Sequence, residues 1–488
     1  MTDQIEQSSP TRPWSHVLHE RHRDNDLRRG TLSAVEVIGQ SVGAAGPSIA
    51  IAGTLPFAYA AAGVGSVVSV VLGTAIVLLI AVVVARFARE HATTGSLYAY
   101  TAQGLGPFAG FASGWGLALG YTGIASACAV GTALFAQAFL GEVGVHGGGT
   151  ALLVVLFVLA AAGAAAVTIR GVKVSTRVSI VLEAVSLLAI FAVFAVAIAH
   201  FGLHVDTAAA DRAAHPTISN ISAGAVIAVT IFVGFESAGA LGLEAADPYR
   251  AIPRAIYLTA AAAGLLYLIA AVVLLIALSS GVDTASSTTA INAIADAAHA
   301  SWLSPVVDLG IGVSAFACTV ASFTGAARSL FNLSREGALP VVLGRAHARW
   351  NTPDVAVVVV AVASLVVPVA YLVFGWGGTD GVTRLWAAYL ATAVGGTYGY
   401  LLAYVLVALS ALVLDGRRRT LSPQVGVAAA LAVVAVGYVV WQVFGSYAQT
   451  FPEVFGVLLA LGLAWYAVLH RRSPEQARRV GTFTETRA

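Results

Sequence analysis

231-IFVGFESAGALGLEAADPYRAIPRAI-256 opens as an apolar run and then places Glu236 where hydrocarbon is expected. Glu244 follows on the same run, and the stretch ends in the tight cluster Asp247, Pro248, Arg250, Pro253 and Arg254. A carboxyl group inside a membrane-length helix costs about 2.5–3.5 kcal/mol on insertion scales, so it marks a functional position by default. The buried acid and the punctuated end together pose the question of what this helix encloses.

The surroundings are those of a membrane protein. Of 488 residues, 58% are hydrophobic and 10% charged, against about 25% charged in ordinary soluble domains. Residues 37 to 85 carry no charge, room for two spans of about 20 residues each, with a break at Ala62-Gly63-Val64-Gly65-Ser66. A formal charge of +2 with dispersed basic residues implies no nucleic-acid partner. The two cysteines, Cys128 and Cys318, lie inside apolar runs and read as small core residues with no disulfide framework. Residues 1–31 read as a polar tail without a signal peptide.

Apolar runs between charges predict twelve transmembrane helices, at 33–58, 65–86, 107–138, 150–168, 175–200, 220–245, 255–279, 304–331, 354–375, 384–412, 424–445 and 452–470. A β-barrel is excluded, because its strands alternate about ten residues at a time. With the N-terminus in the cytoplasm, 24 of the 26 Lys and Arg residues fall on cytoplasmic segments, and only Arg212 and Arg384 fall outside. That bias predicts a multi-pass protein of the cytoplasmic membrane with both termini in the cytoplasm. The segment 286-SSTTAINAIADAAHA-300, outside, is expected to form a short helix over the external face.

Two spans carry helix-weakening sequence at mid-membrane. Span one has Gly43, Gly46 and Pro47 near its centre; proline lacks an N–H and clashes with the preceding turn. Span six has Val233-Gly234-Phe235-Glu236-Ser237. Broken helices five spans apart are expected of inverted repeats, with the binding site at the breaks. Freed backbone groups must line a cavity, since lipid cannot satisfy them. The amide end of such a break suits a carboxylate and the carbonyl end suits a cation. For either break alone, a packing kink is the competing explanation.

Four stretches, in order, resemble the amino acid–polyamine–organocation superfamily of secondary transporters over about residues 30 to 420. They are Gly46-Pro47-Ser48-Ile49, 86-RFAREHATTGSLYAYTAQGLGPFAGFASGW-115, Phe232 to Glu236 followed by 247-DPYRAIPRAI-256, and 328-RSLFNLSREGALP-340 with Asn351-Thr352-Pro353. The resemblance implies an all-α LeuT-type fold with alternating access. Its ten-helix core would span 32–412, in repeats of about 32–200 and 220–412. Peripheral helices eleven and twelve would follow at 413–470, and then a cytoplasmic tail at 471–488. It also implies that Ala44, Ala45, Gly46 and Ser48 face a substrate carboxylate while Val233, Gly234 and Phe235 face its amino group. Here Pro47 departs from the pattern by removing one amide from that cradle, which leaves room for an amine or polyamine. Phe232, Phe235, Tyr121, and Trp386 or Tyr389 are the aromatic candidates for lids over the site.

For coupling, burial favours the neutral form of a carboxyl group, so Glu236 is expected to carry a proton, to hold an amine, or to cap the broken helix as a structural acid. Glu183 on span five is the second intramembrane acid. Glu244 is expected to pair with Arg250, or with an arginine of the 86–90 loop, as a cytoplasmic gate. Proton-coupled members of the superfamily often carry a lysine on span five; the sole lysine here, Lys173, precedes that span. Sodium-coupled relatives use hydroxyls on helix eight, where Thr319 and Ser322 lie three residues apart. Proton coupling is the leading expectation, with sodium coupling or substrate exchange as alternatives. The expected partners are a small-molecule amino acid or amine, a proton or sodium ion and the lipid bilayer, with no cofactor. A transporter-like sensor remains a different class of reading. A membrane enzyme is disfavoured because no paired nucleophile and base, metal-spaced His cluster or nucleotide loop appears.

Overall fold

The computed structural model describes residues 27, 29–145, 147–284, 289–418, 422–446 and 450–486. Most of the 1–31 tail and part of the 286–300 segment therefore lie outside the described residues. Ser33 starts the first helix through a reciprocal cap: the Glu36 amide donates to Ser33 Oγ at 3.4 Å, and the Ser33 amide donates to Glu36 Oε2 at 2.9 Å. This helix, α1 (Ala34–Ala45), stops at Gly46, whose φ of +50° is left-handed. Pro47 then opens α2 (Pro47–Gly53) at a position where a missing N–H is harmless. Span one continues as α3 (Leu55–Ala62), and α4 (Ser66–Ala88) is span two.

A short strand, β1 (His91–Thr93), precedes α5 (Leu97–Leu105). Spans three to five are α6 (Pro107–Glu142), α7 (Gly149–Ile169) and α8 (Val172–Phe201), and α9 (Thr207–Ala213) leads out of the first repeat. Span six begins as α10 (Ile218–Thr230). It then unwinds at Gly234, with φ +98°, and continues as a 3₁₀ turn over Ser237–Leu241. The 220–245 span expected as helix is therefore helical only in its first half. Side chains and backbone of other segments explain this: Ser237 Oγ donates to the Gln40 carbonyl, the Ala238 amide to Ser41 Oγ and the Gly242 amide to the Thr93 carbonyl.

Span seven, α11 (Pro248–Ser279), starts seven residues earlier than expected because Pro248 sits at its first position. The rest follow as α12 (Ala290–Ala297), α13 (Ser304–Arg335), α14 (Asp354–Phe374), α15 (Gly381–Arg418), α16 (Pro423–Ser446), α17 (Thr450–Arg472) and α18 (Pro474–Ala477). Among the described residues eleven helical segments are long and apolar enough to cross a membrane; the broken span six, whose first half is shorter, is consistent with the expected twelve. The centre is built by α6, which packs against both α13 and α15. Close approach of α6 and α15 depends on small residues: a Cβ on Gly399 would run into the Gly116 carbonyl.

One element was not expected. After α18 the chain forms β2 (Thr484–Thr486), which pairs antiparallel with β1, His91 opposite Thr486 and Thr93 opposite Thr484. Arg29 Nη1 meets Glu485 Oε1 at 2.6 Å, so the first and last described segments lie on one face, called the termini face below. The buried Glu336, just past α13, accepts from the Phe483 amide at 3.0 Å and from the Tyr98 hydroxyl at 3.2 Å. The segment 474–486 is thus a strap across that face.

Candidate functional site

The two breaks meet. A Cβ on Gly234 would lie 2.7 Å from the Ala44 carbonyl oxygen, so only glycine lets the span-six turn rest on the end of α1. Beside this contact is a cavity of about 520 Å³, within the range usual for small-molecule sites. Ala44, Ala45, Ile49 and Ala50 line it from span one, Thr230, Ile231 and Val233 from span six, Cys128 from α6, Cys318 from α13, and Tyr389 and Thr397 from α15. Its walls are mainly apolar. It extends along α3 and the start of α10, through Phe57, Ala60 and Ala223, away from the termini face.

Toward the termini face the cavity is shut. Arg328 of α13 grips Glu244 through Nε at 3.0 Å and Nη2 at 2.6 Å, and these side chains are only 2% and 3% exposed. Around them the chain start is laced to the end of span six: the Leu32 amide donates to the Glu244 carbonyl, and the Ala246 amide donates back to Leu32. Thr94 Oγ1 donates to Asn332 Oδ1 at 2.8 Å, tying the loop after α4 to α13. The expected partner of Glu244 was Arg250 or an arginine of the 86–90 loop, but Arg250 stands exposed beside Asp247 at 3.8 Å and Arg86 pairs with Asp415 at 2.8 Å and Glu90 at 2.7 Å. Helix geometry explains the difference: span six unwinds before Glu244, which turns that carboxylate inward to α13.

Glu236 is fully buried at the span-six break. Its Oε2 accepts from the Tyr404 hydroxyl at 2.6 Å and its Oε1 from the Tyr121 hydroxyl at 3.2 Å. These tyrosines come from α15 and α6, so one carboxyl group joins three spans. Tyr121, expected as a lid, is here a partner of Glu236. Phe235 is buried beside Tyr404, with ring centroids 5.8 Å apart, and Phe232 stacks edge-on with Tyr267 at 4.9 Å. Of the pair Trp386 and Tyr389, it is Tyr389 that borders the cavity; Trp386 packs edge-on against Phe135 at 6.0 Å and against Tyr389 at 5.5 Å and faces a separate external hollow.

Glu183 has partners that composition could not reveal. Its Oε1 accepts from the Ser48 amide at 2.8 Å and from Ser48 Oγ at 2.7 Å, and its Oε2 accepts from Ser314 Oγ at 2.7 Å. Ser48 and Gly46 thus lie at the break, with the Ser48 donors turned to α8. On α13, Thr319 Oγ1 donates to the Ala315 carbonyl of its own helix at 2.9 Å, and Ser322 Oγ lies 3.9 Å from Cys318 Sγ; both are buried. Sequence reasoning missed Arg328, Tyr404 and Ser314. Arg328 carried a signal, being a cation inside the expected 304–331 span, whereas a tyrosine and a serine in a membrane helix carry none.

Comparison with known proteins agrees with this architecture. Residues 30–469 match the amino acid permease family. An uncharacterized transporter of Mycobacterium tuberculosis is 29% identical over 421 residues, covering 84% of this chain and 86% of that protein. The branched-chain amino acid permease BcaP of Bacillus subtilis is 25% identical, over 60% of this chain and 65% of its own length. The low-affinity putrescine importer PlaP of Escherichia coli is 24% identical, over 59% and 64%. Among solved structures, a Na⁺-coupled sialic acid symporter in its substrate-bound outward-open state superposes with a TM-score of 0.54 at 11% identity, over 87% of this chain and 92% of that one. A point mutant of the Eremococcus coleocola manganese transporter gives 0.53 at 15% identity, over 97% and 98%. These structural likenesses speak to the fold. The broken spans one and six, the cavity at their meeting point and the match along nearly the whole chain make this protein a multi-pass membrane transporter of the amino acid permease family.

Proposed function

We propose that the protein is a secondary active transporter that moves an amino acid or related amine across the cytoplasmic membrane by alternating access, with both termini in the cytoplasm and coupling to protons. The observation that carries this reading is the cavity at the two breaks, open away from the termini face and closed toward it by the buried Glu244–Arg328 pair. A site that reaches one face while the other is sealed is one half of an alternating-access cycle. Ala44, Ala45 and Val233 present backbone at the substrate, and Tyr389 closes over it.

Glu236 is the proposed proton carrier. It is buried at the break and bonded to two hydroxyl donors and, among the described residues, to no cation, so opening and closing the break changes its access to water. Uptake into proteoliposomes under separately imposed proton and sodium gradients tests the whole reading, with a panel of amino acids and amines as solutes. Proton-driven accumulation is expected, and Glu236→Gln is expected to abolish its pH dependence while the protein stays folded. Accumulation driven only by sodium, or no movement of any solute, would overturn the coupling or the transporter reading respectively.

A further inference from the structure

Resting on the transport reading above, we infer that Glu183 is a specificity-determining residue: it occupies the hydrogen-bond donors a substrate carboxylate would need, so the site takes an ammonium-bearing solute that lacks an α-carboxylate. The argument begins with a donor inventory at the span-one break. Pro47 has no N–H. The Gly46 amide donates to the Val42 carbonyl and the Ala50 amide to Gly46. The Ser48 amide and hydroxyl both go to Glu183 Oε1, and the Ile49 amide goes to Ser314 Oγ, whose own proton goes to Glu183 Oε2. Every donor from residue 46 to 50 is therefore committed inside the protein, and Glu183 takes the ones that face α8.

A carboxylate entering from the cavity would have to displace Glu183 or be buried without donors. Burying either anion unpartnered costs several kcal/mol. The cavity wall supplies few replacements and none that is charged. Thr230 Oγ1 donates to the Ile227 carbonyl at 2.7 Å and Thr397 Oγ1 to the Ala393 carbonyl at 2.9 Å. Cys318 Sγ donates to the Ala44 carbonyl at 3.3 Å, and Gln442 Nε2 donates to the Tyr438 hydroxyl at 2.7 Å. Thr230, Thr397 and Cys318 thus spend their single donors on the protein and keep lone pairs, while Gln442 keeps a second amide hydrogen and the neutral hydroxyls of Tyr389 and Thr54 also line the space. No lysine or arginine lines it among the described residues.

An ammonium group has the opposite character, with three donors and no acceptor. Charge points the same way. Around the breaks are the buried acids Glu183, Glu236 and Glu244 and one buried arginine, Arg328, which is matched to Glu244. With Glu183 and Glu236 ionised, that imbalance favours a cation at short range in a poorly screened interior. The apolar walls from Ile49, Phe57, Ile227 and Val233 suit an alkyl body behind the ammonium head.

Matched solutes that differ only by the α-carboxylate test this directly. Isopentylamine is paired with leucine, and putrescine with ornithine. Uptake by proteoliposomes and ligand-induced thermal shift of the purified protein are both measured. The amine of each pair is expected to bind at least about tenfold more tightly than its amino acid, a gap of about 1.4 kcal/mol. Glu183→Ala, which frees both Ser48 donors, is expected to narrow or invert that ratio. If this variant folds poorly, Glu183→Gln, whose amide adds donors of its own, is expected to shift the ratio in the same direction. Leucine or ornithine equalling its amine in the unmodified protein would sink the inference while leaving transport intact, as would an unchanged ratio in a folded Glu183 variant. Neither member of any pair moving or binding would instead remove the transport reading on which the inference rests.

Discussion

At Glu236, two hydroxyls from different helices hold one carboxyl group, and the consequence is that its surroundings can be edited one atom at a time. Tyr404→Phe deletes the 2.6 Å bond and leaves a buried acceptor with a single side-chain partner, which costs about 1–3 kcal/mol. A lowered melting temperature with altered pH dependence of uptake is expected. Tyr400 provides the control: it packs edge-on against Tyr121, 4.9 Å between ring centroids, but its buried hydroxyl has no hydrogen-bond partner among the described residues. Tyr400→Phe should therefore leave stability and pH dependence unchanged, and a loss equal to that of Tyr404→Phe would mean packing, not the hydroxyl, supports Glu236. Gly234→Ala adds a methyl group against the Ala44 carbonyl at a left-handed φ. Strain of this kind is worth about 1–3 kcal/mol, and uptake should fall sharply in a protein that still inserts. Normal uptake in that variant would show that the breaks need not touch. At this scale the acids announced themselves, because Glu183 and Glu236 interrupt apolar runs. Their partners did not, since Ser48 and Tyr404 are ordinary residues whose roles depend on neighbours 135 and 168 positions away.

The helices tell a similar story with a different boundary between what could and could not be read. Span one breaks where Gly46-Pro47 says it should, because a left-handed glycine before a proline is a local instruction. The second half of span six could not be read this way. Ser237 to Leu241 has the composition of a helix, yet it is tightened into a 3₁₀ turn by bonds to Gln40, Ser41 and Thr93. That turn delivers Glu244 to Arg328 and so makes the seal between span six and α13. Removing one partner from a buried ion pair costs about 3–5 kcal/mol, enough to shift a two-state gate by more than tenfold. The chain's two cysteines, Cys128 and Cys318, both border the cavity and report on such a shift. A membrane-impermeant maleimide applied from the termini face should label the unmodified protein slowly and Glu244→Gln at least about tenfold faster. Equal labelling of the two proteins would take this pair out of the gate.

For the whole molecule, the strap formed by residues 474–486 joins parts that sequence order keeps far apart. The pairing of β1 with β2 and the contact between Arg29 and Glu485 had no counterpart in hydrophobic patterning, which sees spans but not three-residue strands some 390 positions distant. Glu336 anchors the strap and, lying outside the membrane spans, is pushed up to about 7 from its usual 4.5 by burial, which outweighs the amides and the Tyr98 hydroxyl that favour its charged form. A carboxyl group whose docked pKa exceeds its free value takes up a proton on docking. Strap docking should thus strengthen as pH falls from about 7 toward 4.5, with no further dependence on this group above or below that window. Amide hydrogen exchange at Phe483 and Thr484, corrected for intrinsic rates, should show more protection at the lower pH and a flatter profile in Glu336→Gln; protection that rises with pH would reverse the assignment. Because β2 is tied to α17 by a few residues, its local concentration at the β1 edge is on the order of millimolar. A soluble peptide or protein aimed at that edge is competing with a ligand already attached, and it will gain a foothold only where the tether has first been cut, charged or pulled away.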